Sequence, residues 1–424
     1  MARSSIVENV SSRTAVTSVA ASPVFPDVGV LALVPDTWGG PWQPRHYILT
    51  RLAATFPVVW VNPARYWRSL LPGAPSDEWS FDFDGVGPTG FQTYTPEIWL
   101  PEVYRPTLVG RWMRRERLRR ARLLLTGQGC DRTILYLWRP EHAAALDLVP
   151  HDVSCYHIDD EYSFSPVEQP LSGRETSLIT AVDQVFIHSP ALLEKKGHLN
   201  ANTHVIPNGV DYNSYVTPHP MPPDLAAVPA PRIGYVGLIK PQLDLELLGS
   251  LAALHPEWSF VLIGPTGTRG PLASALQRLA RHRNVHLLGP KAVSILPAYT
   301  QHLDVCLLCY AMNDYTKFIY PMKLHEYLAV GRPVVGSPIR TLQSFCDIID
   351  LADTTAEWSA AIANALRPAA MSPERVRARR AVAQTHDWDL VVQDLVGILA
   401  DRLGPAYRSR LDSRPPTRLP AVGE

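Results

Sequence analysis

Residues 313–338 read NDYTKFIYPMKLHEYLAVGRPVVGSP, which predicts a loop, a short helix and a buried strand in that order. Pro321 suits a helix start, because its fixed φ fits the first turn and its missing N–H is not needed there. We therefore predict a helix over residues 322–330, ended by Gly331. The run VVG at 334–336 predicts the strand. This order of elements is typical of a parallel α/β sheet.

The predicted helix carries two charged residues, Lys323 and Glu326, which share a face because they are three positions apart. A helix N-terminus offers free N–H groups and a positive dipole end, which suit a phosphate. Lys323 would add a positive charge, and Glu326 could accept hydrogen bonds from two sugar hydroxyls. The pattern indicates a nucleotide-sugar site with the diphosphate at the helix start and the ribose at Glu326. The alternative is a surface helix with a Lys–Glu pair.

The length and composition restrict the classes of protein to which the chain can belong. Its 424 residues exceed one ordinary core, so two domains are expected. Apolar residues make up 46% and charged residues 19%, which is typical of a globular protein. The formal net charge is zero, and bulk charge therefore gives no reason to expect nucleic acid as a partner.

The cysteines and the apolar runs indicate a cellular location. Five cysteines are few and odd in number for this length, which favours a reducing compartment. Cys306 and Cys309 form a C-x-x-C in an apolar run, and without a second pair for zinc we interpret them as core residues. Residues 1–22 lack the pattern of a secretory signal, and the apolar runs are far shorter than the roughly 20 residues that span a bilayer. We expect a cytoplasmic protein. If it attaches to a membrane, we expect peripheral binding to the inner face of the cell membrane.

Strands and helices alternate along most of the chain. Residues 27–34 (DVGVLALV) predict a buried strand, and a loop, a helix and a second strand follow, as at the start of a Rossmann-like sheet. No G-x-G-x-x-G occurs there, so a dinucleotide fingerprint is absent. The alternation resumes at residue 232, after a stretch with six prolines at 217–231. The pattern predicts parallel sheets with helices on both faces.

Two segments carry a resemblance to one family. The order P-x-K-x-x-E-Y-x-A-x-G-x-P-V-V from Pro321 to Val335 resembles the donor-site segment of family 4-like (group 1) glycosyltransferases of the teichuronic-acid type. The string VIPNGVD at 205–211 resembles the last element of the N-terminal domain in the same transferases. The resemblance implies the GT-B architecture, an α/β fold of two Rossmann-like domains with a cleft between them. It also implies sugar transfer from a nucleoside-diphosphate sugar to a hydroxyl acceptor in polysaccharide, cell-envelope glycan or glycolipid synthesis.

The resemblance gives the domains their roles. We expect a disordered tail (1–26), a Rossmann-like acceptor domain (27–216), a Pro-rich linker (217–231), a Rossmann-like donor domain (232–385), a helix crossing back to the first domain (386–403) and a disordered tail (404–424). The partners implied are a nucleotide sugar and a glycan or lipid-linked acceptor.

Candidate site residues follow from the resemblance and from polar groups at strand ends. The donor-binding candidates are Gly237, Gly264, Pro265, Thr316, Lys317, Lys323 and Glu326, with Gly289 and Pro290 flanking the base. Fixed cations stabilise charge on a leaving diphosphate, so Lys317 and Lys323 are also catalytic candidates. The acceptor-side catalytic candidates are His46, Asp159 and Asp160, and His142 is a further positioning candidate.

The chain departs from the family pattern at the donor sugar. Many members carry a second glutamate eight residues before the ribose glutamate, and here that residue is Phe318. Many also place an arginine after the first glycine of the second domain, where this chain has Leu238, with Lys240 the next cation. Asn313, Thr316 and Lys317 are candidates to replace the missing carboxylate. No D-x-D motif ends a strand, so we expect no metal and no cofactor, and the resemblance implies retention of anomeric configuration.

A basic segment at 108–125 (LVGRWMRRERLRRARLLL) contains seven arginines among apolar residues. One interpretation is an interfacial amphipathic helix that binds anionic lipid. The other is a solvated face whose arginines pair with carboxylates elsewhere in the protein.

Two other functions remain open. A nucleotide-sugar epimerase of the same fold would need no acceptor, and detection of sugar transfer would exclude it. A non-catalytic homologue would bind a nucleotide sugar or a partner protein, and failure to bind any nucleoside diphosphate would favour a partner-binding role.

Overall fold

The computed structural model describes residues 22–70, 87–163, 165–266 and 270–413. Two parallel sheets divide the chain between them. The first sheet has the order β3-β2-β1-β4-β5-β6-β7 and consists of β1 (Val28–Leu33), β2 (Val58–Val61), β3 (Phe91–Tyr94), β4 (Arg132–Leu137), β5 (Val153–Ile158), β6 (Gln184–Ile187) and β7 (Thr203–Val205). The second has the order β10-β9-β8-β11-β12-β13 and consists of β8 (Arg232–Val236), β9 (Ser259–Ile263), β10 (Val285–Gly289), β11 (Val305–Leu308), β12 (Val334–Gly336) and β13 (Asp350–Leu351).

Helices connect the strands as the sequence alternation predicts. They are α1 (Pro44–Leu52), α2 (Thr107–Gly127), α3 (Ala145–Leu148), α4 (Gly173–Ala181), α5 (Pro190–Lys196), α6 (Tyr212–Val216), α7 (Pro223–Ala226), α8 (Leu245–Leu254), α9 (Gly270–Leu279), α10 (Leu296–Gln301), α11 (Met322–Val330), α12 (Arg340–Gln343), α13 (Thr355–Ala365), α14 (Pro373–Gln384), α15 (Trp388–Leu403) and α16 (Pro405–Asp412). The prediction of an α/β fold with two Rossmann-like domains is confirmed.

The central strands are buried because helices cover both faces of each sheet, whereas the edge strands are partly exposed. Every residue of β1, β5 and β9 is buried. Cys306 and Cys309 are free and fully buried in the second core, as expected for packing residues. None of the helices that the structure describes is long and apolar enough to cross a bilayer.

Helix α15 follows the second domain in sequence but packs on the first. Its Trp388, Leu395 and Leu399 are buried in the same apolar cluster as Val30 and Trp60. The crossing is fixed by backbone hydrogen bonds, in which the N–H of Val210 donates to the carbonyl of His386 (2.9 Å) and the N–H of Trp388 donates to the carbonyl of Val210 (3.0 Å).

Three boundary expectations require correction. Residues 22–26 and 404–413 are ordered, because Phe25 is buried against Phe56 and the hydroxyl of Tyr407 in α16 donates to Asp27 at 2.7 Å. The expected linker at 217–231 is part of the second domain, because Leu225 and Val228 are buried in that core. The remaining parts of the expected tails, residues 1–21 and 414–424, lie outside the described residues.

Candidate active site

A cavity lies between the two domains, where the carboxyl ends of both sheets meet. Such strand ends are where ligands bind in open α/β sheets. The first domain contributes Gln43, Arg45, Arg139, Asp159, Asp160, His188 and Asn208 to its walls, and the second contributes Lys240, Tyr310, Tyr315, Tyr320, Pro321 and Lys323.

Helix α11 points its N-terminus at this cavity. Pro321 precedes the first helical residue, no side chain caps the helix, and Pro321 and Met322 both line the cavity. Gly331 ends the helix in the left-handed region at φ 78°. The first-turn N–H groups are therefore placed to receive an anion from the cavity.

The side chain of Lys323 lies directly over the backbone of Gly237. A Cβ built on Gly237 would lie 2.0 Å from Cε of Lys323, and the φ of Gly237 is +134°, so only glycine fits at this position. Burial, opposed by the charge of Glu326 and assisted by that of Lys240, lowers the pKa of Lys323 to about 8. The amine of Lys323 is thus held at the cavity wall, and Glu326 neutralises only part of its positive charge.

Gly264 and Pro265 support the same loop from the next strand. A Cβ on Gly264 would meet the carbonyl oxygen of Gly237 at 2.1 Å, and the N–H of Ile239 donates to the carbonyl of Pro265 at 2.9 Å. These two candidates shape the Gly237 loop through close backbone contact.

Glu326 lies one turn along α11 from Lys323. Burial raises the pKa of its carboxyl, which Lys323 and a hydrogen bond from the Tyr215 hydroxyl counteract. Tyr215 belongs to α6, directly after the VIPNGVD segment. Glu326 is not among the residues that line the cavity, and its role as an acceptor for ribose hydroxyls stays a prediction.

The neighbouring carboxylates Asp159 and Asp160 have different environments. Asp159 forms an ion pair with the buried Arg45, which also pairs with Asp36. Although burial favours its neutral form, Arg45 holds the pKa of Asp159 below its ordinary value. Asp159 therefore stays charged, and its ion pair with Arg45 occupies its carboxylate.

Asp160 faces the second domain across the cavity. The hydroxyl of Tyr315 donates to its two carboxylate oxygens at 2.9 and 3.1 Å. Burial and the charge of Asp159 raise the pKa of Asp160, while Lys240 and Tyr315 counteract the shift. The structure thus brings Asp160, Lys240 and Lys323 together in one cavity.

Lys317 and Thr316 have structural contacts instead. The ammonium of Lys317 donates to Glu168 of the first domain at 2.6 Å. Thr316 is fully buried, and its hydroxyl donates to the carbonyl of Ala311 at 2.6 Å. Neither residue is among the cavity walls, and their role in donor binding stays a prediction.

His46 is also removed from the cavity. Its Nδ1 accepts a hydrogen bond from the N–H of Gln43 at 3.0 Å, and its ring packs 4.6 Å from that of Trp60. Burial lowers its pKa to about 3, so the ring is neutral. Arg45, one position earlier on α1, reaches the cavity instead. Burial likewise lowers the pKa of His142, to about 4.

Sequence reasoning missed several cavity residues. Arg139 and His188 follow β4 and β6 at their carboxyl ends, a position that could have identified them. Tyr215 and Tyr315 act across the fold and carry no comparable local signal. Within the described ranges, no group of three or more His, Cys, Asp or Glu side chains is arranged to hold a metal ion.

Comparison with known proteins finds similarity over the second domain. Residues 230–367 match the family model "Glycosyl transferases group 1". The "Putative teichuronic acid biosynthesis glycosyltransferase TuaH" of Bacillus subtilis (strain 168) is 33% identical over 137 residues. That match spans about a third of each protein, 32% of this chain and 34% of the relative.

Solved structures with low sequence identity share the whole fold. Sucrose-phosphate synthase from Thermosynechococcus elongatus has a TM-score of 0.64 at 17% identity, over 89% of this chain and 98% of that one. A glycosyltransferase from Rickettsia africae has a TM-score of 0.62 at 10% identity, with coverages of 89% and 98%. The structure "Trehalose-6-phosphate from E. coli bound with UDP-2-fluoro glucose" has a TM-score of 0.58 at 14% identity, with coverages of 92% and 100%. Residues 230–367 of this chain are therefore similar to the group 1 glycosyl transferases, and its two domains together have the GT-B fold.

Proposed function

We propose that this protein transfers a sugar from a nucleoside-diphosphate sugar to a hydroxyl acceptor. The observation that carries the proposal is Lys323, held against Gly237 beside the uncapped N-terminus of α11, with Glu326 one turn further on. The anion site at the helix start would bind the diphosphate. The carboxylate on the same helix face would accept hydrogen bonds from the ribose hydroxyls.

In the proposed complex the diphosphate lies at the start of α11. Lys323 and Lys240 contribute positive charge, Glu326 holds the ribose, and the ends of β9 and β10 flank the base. The related E. coli structure is described as bound with UDP-2-fluoro glucose, which supports a nucleotide sugar as the donor.

The proposed reaction breaks the bond between the anomeric carbon and the diphosphate oxygen. The electron pair goes to the diphosphate, the acceptor oxygen forms the new bond, and the acceptor proton ends on the released diphosphate. Lys323 and the α11 N–H groups stabilise the charge that develops on the leaving group. Asp160 positions the acceptor hydroxyl. It lies in the cavity, and its raised pKa favours a hydrogen bond in which the carboxyl and the hydroxyl share the hydroxyl proton.

We further propose retention of anomeric configuration and independence from metals. A trehalose-6-phosphate synthase of the same fold is described in connection with glycosyl transfer with retention. Two lysines at the diphosphate would supply the charge that a metal supplies elsewhere. Transfer should therefore persist in excess EDTA, and its loss there with recovery on adding Mg²⁺ or Mn²⁺ would contradict metal independence.

The proposed acceptor is a glycan or a lipid-linked glycan of the cell envelope, used on the cytoplasmic face of the membrane. The name of the Bacillus subtilis relative, which refers to teichuronic acid biosynthesis, supports an envelope glycan.

The test is incubation with a panel of nucleotide sugars, with and without a membrane-lipid extract, followed by mass spectrometry of nucleotide and sugar products. We expect one donor to release its nucleoside diphosphate and to add one sugar mass to an extract component. Release without a glycosylated product, or recovery of an epimerised sugar, would indicate an epimerase. The Glu326→Ala variant provides the inactive control.

A further inference from the structure

We propose that an aromatic and basic surface of the first domain docks this protein on an anionic lipid bilayer. Three segments form the surface, namely residues 65–68, residues 98–105 and the first turns of α2. Its exposed apolar side chains are Tyr66, Trp67, Ile98, Trp99, Tyr104, Leu108, Val109 and Trp112. The inference extends the proposed membrane location, and vesicle binding can be measured without any donor.

Backbone contacts tie the three segments into one surface. The N–H of Glu102 donates to the carbonyl of Arg65 at 2.7 Å, and the rings of Tyr66 and Tyr104 lie 5.6 Å apart. A Cβ on Gly110 would lie 2.0 Å from the carbonyl oxygen of Val103, so α2 packs closely on the second segment. The apolar side chains are therefore held together by fixed backbone.

The exposure of these side chains is large for a soluble surface. Leu108 is 80% exposed and Trp112 is 59% exposed. A contiguous apolar patch of this kind marks an interaction site, whereas single exposed apolar residues need no explanation. Trp and Tyr are the residues enriched where a protein meets the headgroup region of a bilayer.

Four of the seven arginines in residues 108–125 form ion pairs. Arg114 and Arg117 pair with Glu102, and Arg119 and Arg120 pair with Glu116. These four arginines are therefore ion-paired, and Arg117 is also buried.

A second group of arginines surrounds the aromatic side chains. Arg65, Arg105, Arg111 and Arg115 are exposed and form no ion pair with any residue that the structure describes. Of the acidic groups that the structure describes in these segments, Glu97 pairs with Arg120, and Glu102 pairs with Arg114 and Arg117. The negative surface potential of an anionic leaflet attracts exposed arginines, which favours a lipid surface over an apolar protein partner.

The position of the surface relative to the cavity supports a bilayer as the occupant. Residues 65–68 follow β2, residues 98–105 follow β3, and α2 begins after β3. All three therefore lie at the carboxyl edge of the first sheet, the edge that also presents Asp159 and Asp160. A protein docked through this surface would hold its cavity next to the membrane.

The test is flotation of the full chain with vesicles of phosphatidylcholine alone or mixed with phosphatidylglycerol. We expect binding to the mixed vesicles that falls as salt rises. The double variant Leu108→Glu, Trp112→Glu should lose at least tenfold in vesicle affinity. The matched control is Leu254→Glu on α8 of the second domain, where the leucine is 57% exposed, and it should bind as the wild type does.

Failure of the wild type to bind anionic vesicles would overturn the inference. So would equal losses in the double variant and in Leu254→Glu. A wild-type dimer that the double variant converts to a monomer, without vesicle binding, would assign the surface to a second copy instead. Nucleotide binding should be the same in all variants, so its absence would count against the proposed function and leave the docking surface standing.

Discussion

At the scale of single residues, the contact between Lys323 and Gly237 controls the charge available to a donor. Burial lowers the pKa of Lys323 to about 8, so its ammonium is charged below that pH and neutral above it. The terminal phosphate of a nucleoside diphosphate titrates near pH 6 and keeps a constant charge above about pH 7. The lysine is thus the group whose titration should appear in donor binding.

We predict that nucleoside-diphosphate affinity falls about twofold between pH 7 and pH 8, where half of the lysine is neutral, and then falls more steeply with rising pH. The fall should approach tenfold per pH unit, because each unit removes most of the remaining charged lysine. Isothermal calorimetry across this range measures it. The Lys323→Met variant should bind weakly with no such fall, and constant wild-type affinity up to about pH 9.5 would contradict the assignment.

Gly237 gives a second prediction at this scale. Gly237→Ala should weaken nucleotide binding at least tenfold, because the new methyl group must displace the Lys323 side chain and the backbone has φ +134°. Gly127→Ala is the matched control, since nothing lies within 4 Å of its Cβ position. Equal affinities of the two variants in the same calorimetric assay would show that Lys323 need not lie over Gly237.

At the scale of elements, the loop before α11 packs on the first domain. Phe318 is 2% exposed and belongs to the first domain's apolar cluster, with the ammonium of Lys195 5.0 Å from its ring centroid. Asp314 adds a backbone hydrogen bond to the carbonyl of Pro166 at 3.1 Å. The residue that replaces the family's second glutamate therefore joins the two domains.

We predict that Phe318→Ala lowers the free energy of unfolding by about 3 kcal/mol, because it leaves a cavity in a buried cluster. Urea unfolding followed by fluorescence measures the change. Lys317→Ala removes only a half-exposed ion pair and should alter stability by less than about 1 kcal/mol. A loss at Lys317 as large as that at Phe318 would mean that the ion pair, and not the ring, joins the domains.

The elements also show why part of this structure was predictable. Helix α11 runs from Met322 to Val330, as predicted, because Pro321 and Gly331 are local signals that act within one turn. The burial of His46 was not predictable, because it depends on Trp60 and Trp42, which the sequence does not place around it. Helix α16 was missed because its proline and arginines resemble those of a tail, and its contact with Asp27 is long-range.

At the scale of the whole molecule, the contact of Asp160 with Tyr315 spans the cleft. The two residues belong to different domains and meet through hydrogen bonds of 2.9 and 3.1 Å. Such contacts depend on how the domains are arranged, which no local pattern encodes. The acceptor side of the proposed reaction is therefore sensitive to the domain arrangement, whereas the donor side is built within the second domain.

We predict that Asp160→Asn leaves nucleotide binding unchanged and reduces transfer about a hundredfold, because a mispositioned acceptor loses rate and not donor affinity. Steady-state kinetics with the identified donor measures both quantities. Asp159→Asn should instead lower thermal stability, since it leaves the buried Arg45 with one fewer carboxylate. Full transfer activity in Asp160→Asn would show that Asp160 does not position the acceptor.

The central claim is a nucleotide-sugar site on α11, and calorimetric titration of UDP, GDP, ADP and CMP into the wild type and Glu326→Ala tests it most directly. We predict micromolar binding of one nucleoside diphosphate and at least a tenfold loss in the variant, which corresponds to about 1.4 kcal/mol. Binding of none of the four, or equal affinity in both proteins, would contradict the placement of the ribose on Glu326.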